Sequence, residues 1–173
     1  LDGVQLNEQT AAELAPGGRL AQLVEEGAGS KVTWVLDPAL LQTAEDMTDG
    51  YQVVGTSEPR VTGGGSAQAR DWLTSVKRVT EGSPTVATSY ALPDVMALER
   101  ADMKQTIAVA TQRAAADVSA ATGEDVEKVL AWPPGGALTP SALRSLSQAG
   151  ATSGYPFGGG HASGAWPSVD AVQ

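Results

Sequence analysis

Lys31-Val32-Thr33-Trp34-Val35-Leu36-Asp37-Pro38 is a short apolar and β-branched run cut off by an Asp-Pro pair. Two more stretches have the same character. Thr85-Val86-Ala87-Thr88-Ser89-Tyr90 follows a Gly-Ser-Pro turn, and Lys128-Val129-Leu130-Ala131-Trp132 runs into Pro133-Pro134-Gly135-Gly136. Each is nearly continuous in apolar or β-forming residues, the pattern of parallel strands covered on both faces. Helical patterns lie between them. Leu20, Leu23 and Val24 form one apolar stripe; Trp72, Leu73, Val76 and Val79 form another. From Asp94 to Ala121, Met96, Met103, Ile107, Ala110, Ala114 and Val118 fall on one face of what reads as a long helical stretch. Thr139-Pro140 reads as a cap with proline at the first helical position, opening a helix that carries Leu143 and Leu146 and ends at Gly150. Strands alternating with helices predict right-handed crossovers and a parallel sheet, open or barrel-like, in an α/β fold.

Composition narrows the function. The chain has 173 residues, suited to one ordinary domain or part of a larger one, and 42% of them are hydrophobic, enough for a core. Aromatics are only 5%, so alanine supplies much of the apolar surface. A net charge of −9 with no basic cluster excludes nucleic acid and anionic lipid as main partners. Cysteine is absent, which removes disulfides, thiolate nucleophiles and cysteine-based zinc sites. No apolar run reaches the ~18 residues of a membrane span. The start at Leu1-Asp2-Gly3 reads as trimmed or processed. Gly63-Gly64-Gly65-Ser66 reads as a flexible surface turn; it lacks the Gly-Lys-Ser/Thr that a phosphate loop needs. The domain is expected over residues 1–152. Residues 153–173, rich in glycine and proline and holding the single histidine, His161, are expected to form an irregular tail.

Several landmarks in order carry a resemblance. They are Leu14-Ala15-Pro16-Gly17-Gly18-Arg19-Leu20, Val32-Thr33-Trp34-Val35-Leu36-Asp37-Pro38-Ala39-Leu40-Leu41, Asp46-Met47-Thr48-Asp49-Gly50-Tyr51 and Ala69-Arg70-Asp71-Trp72-Leu73. Tyr90-Ala91-Leu92-Pro93-Asp94-Val95, Ala131-Trp132-Pro133-Pro134-Gly135-Gly136 and the Leu143…Leu146…Ala149-Gly150-Ala151 ending complete the series. Over residues 11–152 the chain resembles an actinobacterial family of exported cell-envelope proteins (domain of unknown function 6049). Its members are anchored by a C-terminal membrane helix, and their genes neighbour the lipid II flippase. The resemblance implies an extracytoplasmic location and a cell-wall glycan, a lipid-linked precursor or an envelope protein such as that flippase as partner. That family is similar in turn to the incomplete (β/α) barrels of polysaccharide deacetylases and related glycoside hydrolases, which implies such a barrel here. Of the deacetylase motifs, a single aspartate, Asp37, remains of the first; the histidine pair is missing; and Trp132-Pro133-Pro134-Gly135 stands where an Arg-Pro-Pro-Tyr turn would be.

Asp37 follows a strand at the end where active sites of parallel folds gather. It reads either as a sugar-hydroxyl acceptor or acid/base, or as the cap of a helix starting at Pro38. Asp94 poses the same choice after the second strand. Two carboxylates facing each other at about 5–10 Å are the minimum for glycoside hydrolysis. Trp132 reads as a platform for a sugar ring or as a plug at the top of the sheet. Tyr90 and Tyr51 are candidates for the rim, and Trp34 for the core. A lone histidine cannot supply a histidine-based zinc site, so no metal and no other cofactor is expected. No Gly-x-Ser-x-Gly elbow supports His161 in serine catalysis. Two functions remain: a non-catalytic module binding through Asp37, Tyr90, Asp94 and Trp132, or a metal-independent glycoside hydrolase with Asp37 and Asp94 as catalytic residues.

Overall fold

The computed structural model describes residues 3–54, 60–132 and 138–152. In chain order these form β1 (Val4–Gln5), α1 (Gln9–Leu14), α2 (Arg19–Gly27), β2 (Trp34–Leu36), α3 (Pro38–Thr48), β3 (Gln52–Val53), β4 (Val61–Thr62) and α4 (Ser66–Thr80). Then follow β5 (Thr85–Thr88), α5 (Val95–Arg100), α6 (Lys104–Gln112), α7 (Ala114–Thr122), β6 (Val129–Leu130), α8 (Pro140–Gln148) and β7 (Ala151–Thr152). The fold is mixed α/β with parallel strands, and the described strands close no barrel. The chain divides into two compact units, one of residues 1–32, 39–84 and 121–124, the other of residues 33–38, 85–120 and 125–173. The tail over 153–173, with His161, and the Pro133–Gly136 turn lie outside the described residues.

The first unit holds a three-stranded sheet in the order β1-β3-β4, with β1 parallel and β4 antiparallel to β3. Its helices bury small and branched residues: Ala11 and Leu14 of α1, Ala21 and Val24 of α2, Leu41, Ala44 and Met47 of α3. On α2 the inward face is displaced from the expected stripe, for Leu23 is 52% exposed and Ala21 takes its place. On α4 the buried side chains are Ala69, Trp72, Leu73, Val76 and Thr80, and the Trp72 indole N–H donates to the Leu20 carbonyl at 3.2 Å.

The glycine run before α4 is packed, not a free surface turn. Tyr51 is 3% exposed, and its hydroxyl donates to the Glu8 carboxylate. The Gly65 N–H donates to that hydroxyl at 3.0 Å, and the Gly64 N–H donates to the other Glu8 oxygen at 3.0 Å. A Cβ on Gly63 would overlap the Tyr51 ring, and one on Gly65 would overlap the Ala11 methyl. The expectation of a flexible turn is therefore corrected, because the phenol ring occupies the space that side chains would need. Tyr51 is likewise no rim residue. It is the buried pin between the start of α1, β3 and the start of α4.

The second unit holds a four-stranded sheet, β2-β5-β6-β7, parallel throughout and ordered as the chain runs. The three strands expected from sequence are parallel neighbours in it, each shorter than its apolar run. β5 and β6 are buried, as continuous apolar runs should be. β2 departs from that: it is last in the sheet order, Val35 is 38% exposed, and Trp34 is half-buried at its first position, not mid-strand in the core. Paired on one side only among the described residues, β2 loses part of its cover.

The long stretch from Asp94 to Ala121 is three helices, not one face of a single helix. α5 ends at Asp102, which adopts φ +56°; the Asp102 N–H bonds the Glu99 carbonyl at 3.1 Å and the Met103 N–H bonds the Leu98 carbonyl at 2.8 Å. This double closure is a left-handed C-terminal cap, and it turns Met103 out to 47% exposure while Ile107 stays fully buried. Val95 of α5, Ile107 of α6, and Ala142 and Leu146 of α8 pack in one cluster with Ala131, just after β6, and Ala151 of β7. The start of α8 is as its sequence demands. The Thr139 side chain accepts from the Ala142 N–H at 3.2 Å, Pro140 takes the first turn, and Gly150 ends the helix at φ +93°.

Candidate functional site

The carboxyl ends of β2, β5 and β6 lie side by side, because the strands are parallel and in register: Leu36 pairs with Ala87, and Thr88 with Leu130. Asp37 comes directly after β2, Tyr90 two residues after β5, and Trp132 two residues after β6. The sheet topology thus brings these three candidates to one edge. Trp132 is 59% exposed and Tyr90 40%, so neither plugs a core. Leu92 beside them is 42% exposed.

Asp37 is half-buried, and its Oδ1 accepts the Ala91 N–H at 3.0 Å. The carboxylate therefore ties the end of β2 to the turn that leaves β5. That turn is strained: Ala91 and Leu92 are consecutive non-glycine residues at φ +58° and +44°. Three further bonds fix its ends. The Tyr90 N–H reaches the Ala110 carbonyl at 2.7 Å, the Leu92 N–H the Ser89 carbonyl at 3.0 Å, and the buried Ser89 hydroxyl pairs with that of Thr111 at 2.9 Å. Asp94 is exposed, and its Oδ1 accepts the Ala97 N–H at 2.9 Å, so it caps α5. Both carboxylates are engaged with backbone amides. That is chemistry for holding a surface, beside two aromatic side chains that are partly exposed.

Two residues escape a reading of the sequence. Ala91 looks like any loop alanine, and only its positive φ marks it. Thr88 looks like an ordinary strand residue, yet its Oγ1 is buried with no hydrogen-bond partner among the described residues. A threonine closing the buried Val86-Ala87 run was the one signal available.

Cavities among the described residues include these two. One of about 760 Å³ in the first unit is lined by Val4, Tyr51, Gln52, Arg60 and Thr62 among others. One of about 280 Å³ runs between α6 and α8, lined by Lys104, Gln105, Ala108, Ser145 and Gln148. Neither includes a residue singled out above at the edge. Among the described residues no group of three or more His, Cys, Asp or Glu side chains is placed to hold a metal ion, and no helix is long and apolar enough to cross a membrane.

Fold and site define an α/β domain whose parallel strands follow one another in chain order and present aromatic side chains at their carboxyl edge. No protein-family model, no curated protein and no solved structure matches the chain.

Proposed function

We propose that this chain is a non-catalytic, extracytoplasmic module of the cell envelope that binds a cell-wall glycan or its lipid-linked precursor at the carboxyl edge of the four-stranded sheet. We place that sheet in an incomplete (β/α) barrel. Its strand order, which never reverses direction, supports this, since a doubly wound sheet has a switch point. One observation carries the functional reading: Trp132 and Tyr90 stand exposed after neighbouring parallel strands while Asp37 and Asp94 are occupied by backbone N–H groups. An exposed indole stacks on the apolar face of a pyranose and offers its N–H to a hydroxyl. Asp94 is exposed and keeps acceptor capacity for a sugar hydroxyl, while the bonded Asp37 oxygen fixes the edge.

Glycoside hydrolysis fits less well, because it requires one carboxyl group to shuttle a proton and the other to attack or to activate water. Here one aspartate caps a helix and the other holds a strained turn. Titration calorimetry against muramidase-released peptidoglycan fragments, with product analysis in parallel, separates the two. Binding without turnover is expected. Turnover that Asp37→Asn abolishes would establish the hydrolase instead, and silence toward every saccharide would remove both readings.

A further inference from the structure

Thr88 ends β5 with its side chain 4% exposed and its Oγ1 unpaired among the described residues. Buried hydroxyls are nearly always hydrogen-bonded, so one with no partner among the described residues calls for a role. Its place in the sheet says what. Ala87, Val129 and Ala151 share one row of the sheet. Ala131 and Ala151 pack against α5, α6 and α8, and the Ser89 hydroxyl reaches Thr111 of α6. Successive side chains alternate between faces. Thr88 therefore lies on the opposite face from those helices, in the row of Leu130. Continuing the β2–β5 register by one residue puts Asp37 level with it.

We propose that Thr88 is a ligand-contacting residue of the carboxyl-edge site, its hydroxyl donating to a hydroxyl or acetamido oxygen of the saccharide; the assignment rests on the saccharide-binding reading above. The hydroxyl is enclosed in the free protein, so the ligand reaches it by a local shift of the chain that follows. That chain is the Tyr90–Leu92 turn, exposed at all three residues and carrying the two left-handed non-glycine residues. A shift there relieves the two positive φ angles at the cost of the Ala91 N–H bond to Asp37.

Thr88→Val replaces the hydroxyl by a methyl of similar shape, and Thr88→Ser keeps the hydroxyl. In the free protein Thr88→Val is expected to raise Tm by about 2–4 °C, since an unpaired polar group leaves the interior. The same variant should bind peptidoglycan fragments and an N-acetylglucosamine tetramer about fivefold more weakly, the scale of one neutral hydrogen bond. Thr88→Ser should retain the wild-type affinity. A lowered Tm for Thr88→Val would overturn the proposal, because the hydroxyl would then have a partner in the free protein. A raised Tm with unchanged affinity would overturn it too, leaving saccharide binding intact. Failure of the wild type to bind either probe would instead overturn the underlying reading together with this one.

Discussion

Trp132 exposes 59% of its surface just past a strand whose own two residues are buried. A side chain that exposed adds little to the fold, so its truncation should cost binding more than stability. Trp132→Ala is expected to weaken glycan affinity by about 1–3 kcal/mol in calorimetry, the value of burying an aromatic side chain against a ligand, with Tm unchanged. The aspartates should behave the other way round. Asp94→Ala removes the α5 cap and should lower unfolding free energy by about 1 kcal/mol in urea, while Asp94→Asn should cost only a few tenths. At Asp37 the same ordering is expected, because asparagine keeps an oxygen for the Ala91 N–H and alanine does not. The sequence posed Asp37 and Asp94 as caps or as catalytic groups. It could show that Asp94 opens a helix, since that is local, but not that Asp37 reaches an amide 54 residues away.

Elements ended where local chemistry told them to, and the surprises came from what packs on them. The Thr139-Pro140 start and the Gly150 end of α8 follow from cap geometry alone. The break between α5 and α6 follows from Asp102 in the left-handed region, which no apolar periodicity can signal. The Gly63–Gly65 run is the strongest case. The run reads as a flexible surface turn in sequence, yet a Cβ at Gly63 or Gly65 would collide with Tyr51 or Ala11, while Gly64 is open. Gly65→Ala and Gly63→Ala should each destabilise the protein by about 1–3 kcal/mol, the range for forcing extra volume into a packed site. A flexible turn would tolerate both, so chemical denaturation of either variant with wild-type stability would refute the packing described here.

At the scale of the molecule, the first unit is pinned through Tyr51, and this gives its stability a pH dependence. Burial, and then the hydrogen bond to Glu8, raise the Tyr51 phenol above its ordinary value of 10.0. The unfolded chain releases that proton near the ordinary value, whereas the folded chain holds it. The contribution is therefore complete below about pH 10 and is lost as pH rises through the higher folded value. Urea titrations should show stability falling above pH 10, with the fall flatter in Tyr51→Phe. At pH 7 the same variant should be less stable by about 1–3 kcal/mol, because the Glu8 carboxylate and the Gly65 N–H lose their partner. An alkaline limb identical in both proteins would mean that Tyr51 plays no part.

By itself the sequence determined the α/β class, the three neighbouring parallel strands, the start of α5, and the start and stop of α8. Each of these depends on residues within a few positions of one another: apolar runs, Asp, Thr and Pro at helix starts, Gly after a helix end. Tertiary structure alone decided which surfaces those elements keep. It buried Tyr51 against a glutamate 43 residues earlier in the chain, set β2 at the end of the described sheet, and left Trp132 and Tyr90 partly exposed. It also left the Thr88 hydroxyl without a partner among the described residues. Burial and hydrogen-bond partnership are properties of contacts between distant segments, and a pattern read along the chain carries no measure of which segments meet.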